Sequence, residues 1–137
     1  SAASDVYKRQ VFIAPVEGRR EYINFEINPN GAYLSQFGAE RNGRVFIKEL
    51  TAETPRVSAG VYTDTKGWHA ELFIPESLIS ALYGCEFSVK EGEIRGNFYK
   101  CADDSPTPHY GALFPVGSAS LGFHNPEKFG TIKIIKR

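Results

Sequence analysis

The stretch Tyr22-Ile23-Asn24-Phe25-Glu26-Ile27-Asn28 alternates without a break, so that Ile23, Phe25 and Ile27 fall on one face and Tyr22, Asn24, Glu26 and Asn28 on the other. A period of two is the mark of a half-buried strand, because successive side chains point to opposite sides of a sheet. The run Gly67-Trp68-His69-Ala70-Glu71-Leu72-Phe73-Ile74-Pro75 repeats the pattern: Trp68, Ala70, Leu72 and Ile74 alternate with His69, Glu71 and Phe73. Pro75 then ends the strand, having no ladder donor. Residues 11–14, 45–49, 57–63, 93–101 and 131–136 read as further strands, with glycines and prolines largely between them. One short helix is expected from Pro75 or Glu76 to Tyr83, where Leu78, Ile79 and Leu82 have helical spacing and Gly84 can terminate it. Many short strands and a single helix point to an all-β fold, an antiparallel β-sandwich.

The chain has 137 residues, which suits one domain, and its 16 Lys plus Arg balance 16 Asp plus Glu. A neutral balance offers no field for nucleic acid or an anionic membrane, and it favours an uncharged ligand. No window approaches the roughly 20 consecutive apolar residues of a membrane span. Residues 1–10 break the alternating pattern and are set apart as a non-native or disordered tail, which leaves residues 11–137 as the domain. Cys85 and Cys101 are the two thiols, and they permit either one disulfide or two free cysteines, with free thiols the preferred reading. Paired metal-ligand spacings are absent, which argues against structural zinc. Asp64, Asp103 and Asp104 offer oxygen ligands in turns, so structural Ca²⁺ is a minor alternative to no cofactor at all.

Three blocks in the last third mix aromatic rings with hydrogen-bonding side chains: residues 96–101 (GNFYKC), 108–115 (PHYGALFP) and 123–130 (FHNPEKFG). Apolar ring faces together with fixed donors and acceptors are what a sugar requires, one for the pyranose face and the other for its hydroxyls. These blocks, with residues 22–28 and 67–75 upstream, resemble the carbohydrate-binding module family 9-like domains over most of residues 11–134. The resemblance implies a jelly-roll-like β-sandwich of secreted or periplasmic carbohydrate-active proteins. Members usually carry additional strands before the segment corresponding to Val11, so the resemblance also implies a domain incomplete at its N-terminus. Exposed edge strands would then favour a homodimer.

Phe123 corresponds to the aromatic that walls a sugar slot in the resembled modules, and His124 follows it. The bland alternative is that Phe123 tucks beneath the loop before the last strand. Asn24 and Glu26 on one strand, with Arg95, Asn97 and Tyr99 on another, are expected to share one sheet face and to orient sugar hydroxyls; the alternative is a solvated polar face with a Glu26–Arg95 pair. His109 and Tyr110 follow Pro106 and Pro108, which stiffen their loop. Trp68 belongs with Leu72 and Ile74 on an apolar face and reads as core.

The function read from the sequence is therefore a non-catalytic module that binds a neutral oligosaccharide or polysaccharide, or a terminal sugar. An accessory sandwich domain without sugar binding is the main alternative. A small glycoside hydrolase, pairing carboxylates from among Glu26, Glu71, Asp103 and Glu127, is more distant, because none of these lies in a recognisable catalytic motif.

Overall fold

The computed structural model describes residues 7–63, 67–102, 109–117 and 122–135. Among them run nine strands: β1 (Lys8–Ala14), β2 (Tyr22–Ile27), β3 (Tyr33–Gly38), β4 (Val45–Phe46), β5 (Arg56–Val61), β6 (Trp68–Phe73), β7 (Gly92–Ala102), β8 (His109–Ala112) and β9 (Gly130–Ile134). The helix α1 (Glu76–Tyr83) lies between β6 and β7 and ends at Gly84, whose φ of 65° is the left-handed conformation anticipated for a helix-terminating glycine. The strands form an antiparallel sandwich: a seven-stranded sheet ordered β4-β3-β2-β1-β7-β8, with β9 also on β7, and a two-stranded sheet β5-β6.

The large sheet is built around β1, which pairs with β2 on one side and β7 on the other. Lys8, Arg9 and Gln10 belong to this central strand, so it begins inside the segment that the sequence pattern set apart as a tail. Two further local readings are corrected. Residues 45–49 hold only a two-residue strand, and Ile47–Glu49 is a 3₁₀ turn. The strand β3 is not among the strands read from the sequence, because its buried member is a polar residue, Ser35. Segment 109–112 is likewise a strand, β8, although its flanking prolines suggest a loop.

Both faces of the large sheet are covered. On one face, Ile13, Ile23 and Phe25 pack with Ile79 and Tyr83 of α1 and with Leu72 and Ile74. Trp68 joins this side, with the Arg9 guanidinium 4.7 Å from its ring centroid. The small sheet leaves part of that face open: a cavity of about 550 Å³ lies against Trp68, Ile94, Phe98 and Ile132, and Phe98 remains 40% exposed. On the other face, Phe12, Tyr22, Tyr99 and Phe129 form a second core, joined at its margin by Val116 and Phe123. Every strand of the centre is thus buried twice, which explains why Tyr22 is as buried as Ile23 although the two alternate.

The strand β7 serves two partners along its outer edge. Residues Gly92–Gly96 pair with β9 and Tyr99–Ala102 with β8. Gly96 stands at the crowded crossing, where a Cβ would strike the Phe12 carbonyl oxygen and the Ile132 side chain. Overpacking against backbone cannot relax cheaply. Gly96→Ala should therefore lose about 1–3 kcal/mol in urea unfolding. Gly111→Ala meets only the flexible Lys100 chain and should cost clearly less; equal losses at the two positions would refute the steric explanation.

Candidate functional site

The strand registers place the polar alternates in rows on the second face of the large sheet. Phe12 stands between Asn24 and Asn97, and Gln10 stands between Glu26 and Tyr99. Lys8 comes next, beside Cys101, which is itself opposite Tyr110. Asn24, Glu26, Arg95, Asn97 and Tyr99 therefore share one sheet face, with β1 between them. Their environments divide them into two groups.

Asn24 and Asn97 are buried, at 1% and 0% exposure, and are engaged within the fold. The Asn24 carboxamide oxygen accepts from Arg44 Nε at 2.9 Å. Asn97 donates to the Phe114 carbonyl and accepts from the Phe114 N–H, both at 2.9 Å. The Tyr99 hydroxyl donates to the Phe123 carbonyl at 3.1 Å, and Arg95 donates to the carbonyls of Pro126 and Phe129 at 2.7 and 3.2 Å. Asn97, Tyr99 and Arg95 thus hold in place the segment that covers the sheet, while Asn24 holds Arg44. The cross-strand Glu26–Arg95 pair considered as an alternative does not form, since Arg95 turns to those carbonyls.

Glu26 faces an open cleft of about 600 Å³, whose lining also includes Lys8, Gln10, Tyr110, Phe123 and His124. Phe123 is stacked on Tyr99 with centroids 4.1 Å apart, and Tyr110 meets its edge at 6.5 Å. Phe123 is thus half-buried, tucked against the sheet and still part of the cleft wall, while Tyr110 is 61% exposed. His109, paired with Ala102, alternates with Tyr110 and falls on the opposite face. Of the nine residues singled out in the sequence, Glu26, Tyr110, Phe123 and His124 converge on the cleft. Lys8, Gln10 and Arg41 line it without having been anticipated. The first two lay in the discarded tail, where the alternation of Lys8, Gln10 and Phe12 was the available signal.

His124 is set against Phe12, with centroids 4.9 Å apart, and its Nδ1 lies 2.9 Å from the Tyr22 hydroxyl. Burial raises the Tyr22 pKa, so this hydroxyl stays protonated and is assigned as the donor, which leaves the imidazole proton on Nε2. Burial first, and then the charges of Arg44 and Arg41, push the histidine down to about 4. Arg44 sits 3.9 Å from the Tyr22 ring centroid and donates to the carbonyls of Tyr22, Gly38 and Gln36 as well as to Asn24. The ring of His124 is accordingly neutral near pH 7 and presents a donor without a charge.

Of the carboxylates considered for hydrolysis, Glu26 lines the cleft and Glu127 is exposed in the 3₁₀ turn Pro126–Lys128. Glu71 lies opposite Ser58 on the outer face of the small sheet, away from Glu26 across both layers. Asp103, like Asp64 and Asp104, lies outside the described residues. Cys85 is exposed after α1 and Cys101 is buried in β7, and the two are unbonded.

The model of the carbohydrate-binding family 9 matches residues 5–134. The chain belongs to this family. Family 9 domains are generally non-catalytic carbohydrate-binding modules. A crystal structure of a candidate carbohydrate-binding protein from Bacteroides uniformis superimposes with a TM-score of 0.67 at 26% identity. The match covers 92% of this chain and 60% of that one, so the family 9 chain spans about 60% of that structure's length. No curated protein matches.

The histidine yields a pH prediction. Its folded pKa lies below the ordinary 6.5, so the unfolded chain takes up the proton first as pH falls. The stability is present in full above about 6.5 and is lost progressively towards about 4. Between pH 7 and pH 4.5 this group should cost on the order of 2 kcal/mol, solvent contact having reduced the full effect. His124→Gln should lose stability less steeply than the parent over that range. Parallel pH profiles from thermal unfolding would contradict the assignment.

Proposed function

We propose that the chain binds the terminal sugar of a neutral glycan in the cleft between Phe123, Tyr110, His124 and Glu26, without catalysing a reaction. The observation that carries this reading is the composition of that cleft: a stacked pair of rings beside polar side chains on a rigid, doubly buried sheet. Aromatic faces supply area at low entropic cost, and a carboxylate and a neutral imidazole N–H supply one strong acceptor and one donor. Membership of family 9 supports the same substrate class, as does the name given to the Bacteroides uniformis protein. Family 9 domains are typically extracellular, which supports a secreted or periplasmic setting.

The balanced charge of the chain supports a neutral ligand over an acidic one. The positions of Glu26 and Glu71 on separate surfaces weigh against a glycosidase, whose two carboxylates work about 5–10 Å apart. An affinity gel or calorimetry against soluble plant polysaccharides and their oligosaccharides tests the reading, with micromolar to millimolar affinity expected. Tyr110→Ala, at an exposed ring, should weaken binding by about 1–3 kcal/mol and leave the melting temperature nearly unchanged. Phe123→Ala should lower both, because it also removes the stack on Tyr99. Unchanged affinity in both variants would remove the rings from the site, and absence of binding across the panel would favour an accessory domain.

A further inference from the structure

The floor of the cleft holds three hydrogen-bonding side chains that the fold itself does not use. Gln10 is 8% exposed, yet its carboxamide makes no hydrogen bond among the described residues; the same is true of the Glu26 carboxylate and the Lys8 ammonium. Neighbouring polar groups on this face are treated differently: Asn24, Asn97, Arg95 and Tyr22 are each paired with a protein group. A nearly buried amide without a partner is costly, so in the free domain solvent in the cleft takes that role, and a ligand can displace it.

We propose that Lys8, Gln10 and Glu26 together read two adjacent hydroxyls of a pyranose, making Lys8 and Gln10 binding residues and the ligand a sugar with an unsubstituted vicinal diol. This rests on the carbohydrate reading of the cleft and specifies which part of the sugar faces the sheet. The chemistry follows from the order of the three groups. Gln10 and Glu26 are directly opposite in the ladder between β1 and β2, and Lys8 lies two residues along β1 on the same face, about 7 Å away. Glu26 only accepts, Lys8 only donates, and the carboxamide between them does both. A hydroxyl also does both. One hydroxyl donates to Glu26 while accepting from the Gln10 amide hydrogen; its neighbour donates to the Gln10 oxygen while accepting from Lys8. Each hydroxyl then donates once and accepts once, and the floor carries one positive and one negative charge, so a neutral diol matches it. An anion would face Glu26, and a cation would face Lys8.

Ligand-observed NMR and calorimetry with glucose, galactose, mannose, xylose, cellobiose and xylobiose first select the tightest of these probes, which is then compared with its monodeoxy analogues. Removing either of one pair of adjacent hydroxyls should weaken binding to the parent about tenfold, the equivalent of one lost hydrogen bond that leaves its partner unpaired. In Gln10→Leu the two penalties should shrink to under about twofold, and in Lys8→Gln only the hydroxyl nearer Lys8 should change its penalty. Deoxy sugars that bind the parent as well as the intact sugar overturn the proposal without recourse to any variant. Penalties that persist unchanged in Lys8→Gln and Gln10→Leu do the same. If the floor variants bind like the parent while Tyr110→Ala loses affinity, the carbohydrate reading stands and the role of the floor falls. If none of the probes binds the parent, both fall together. Lys8, partly exposed at the start of β1, supplies the second arm should Gln10→Leu fail to fold.

Discussion

The pairing of the Asn97 carboxamide with the backbone of Phe114 is the constraint on which the second face of this domain depends. β7 exchanges ladder bonds with β9 below residue 96 and with β8 above residue 99, which leaves Asn97 at the junction. An amide side chain has one donor edge and one acceptor edge, and it closes the gap as a peptide group would, at 2.9 Å in both directions. The segment after β8 is thereby tied to the sheet. Tyr99 and Arg95 continue the attachment by donating to the carbonyls of Phe123, Pro126 and Phe129. Loss of one member would leave a buried polar group without a partner, a larger penalty than the net value of a hydrogen bond. Gly130 completes the closure, since a Cβ there would run into the Phe114 ring.

A second consequence of burying both faces is the position of Arg44. Its guanidinium has no carboxylate partner in its bonds; it spends its donors on backbone carbonyls and Asn24 and lies over the Tyr22 ring. The planar, delocalised cation tolerates this placement where an ammonium would not. Its charge acts on His124 through low-dielectric surroundings, together with that of Arg41. A chain with zero formal net charge therefore contains a locally positive corner, and next to it a sheet floor in which Lys8 and Glu26 balance. Net charge describes encounter with large partners; the charge that a ligand meets is set by a few side chains in one cleft.

Much of the fold was legible because burial imposes period two. Residues 68–73 alternate in burial, residues 22–27 alternate between the two faces of the sheet although nearly all are buried, and the helix from Glu76 ends at Gly84 as its spacing and terminator require. β3 was illegible because its inward position holds Ser35, whose hydroxyl has no hydrogen-bond partner among the described residues, and propensity patterns do not anticipate a buried polar residue. β1 was shortened because Lys8-Arg9-Gln10 has no apolar member, although β2 and β7 sandwich it edge to edge. Its partners decide that it is a strand.

By itself, then, the sequence determined the class of the fold, the phase of its strands and the face on which Asn24, Glu26, Asn97 and Tyr99 would lie, because alternation is a local property that each strand carries alone. It also carried the family resemblance, through aromatic and polar blocks that survive as residue order. Which of those polar residues meet solvent was decided only by tertiary structure. Residues on one face look equivalent in sequence, but the covering segment descends over Asn97 and Tyr99, is held at its margin by the exposed Arg95, and leaves open the cleft that Lys8, Gln10 and Glu26 line. That division depends on where residues 113–117 and 122–129 come to rest, which is a long-range packing outcome and leaves no periodic trace in the chain.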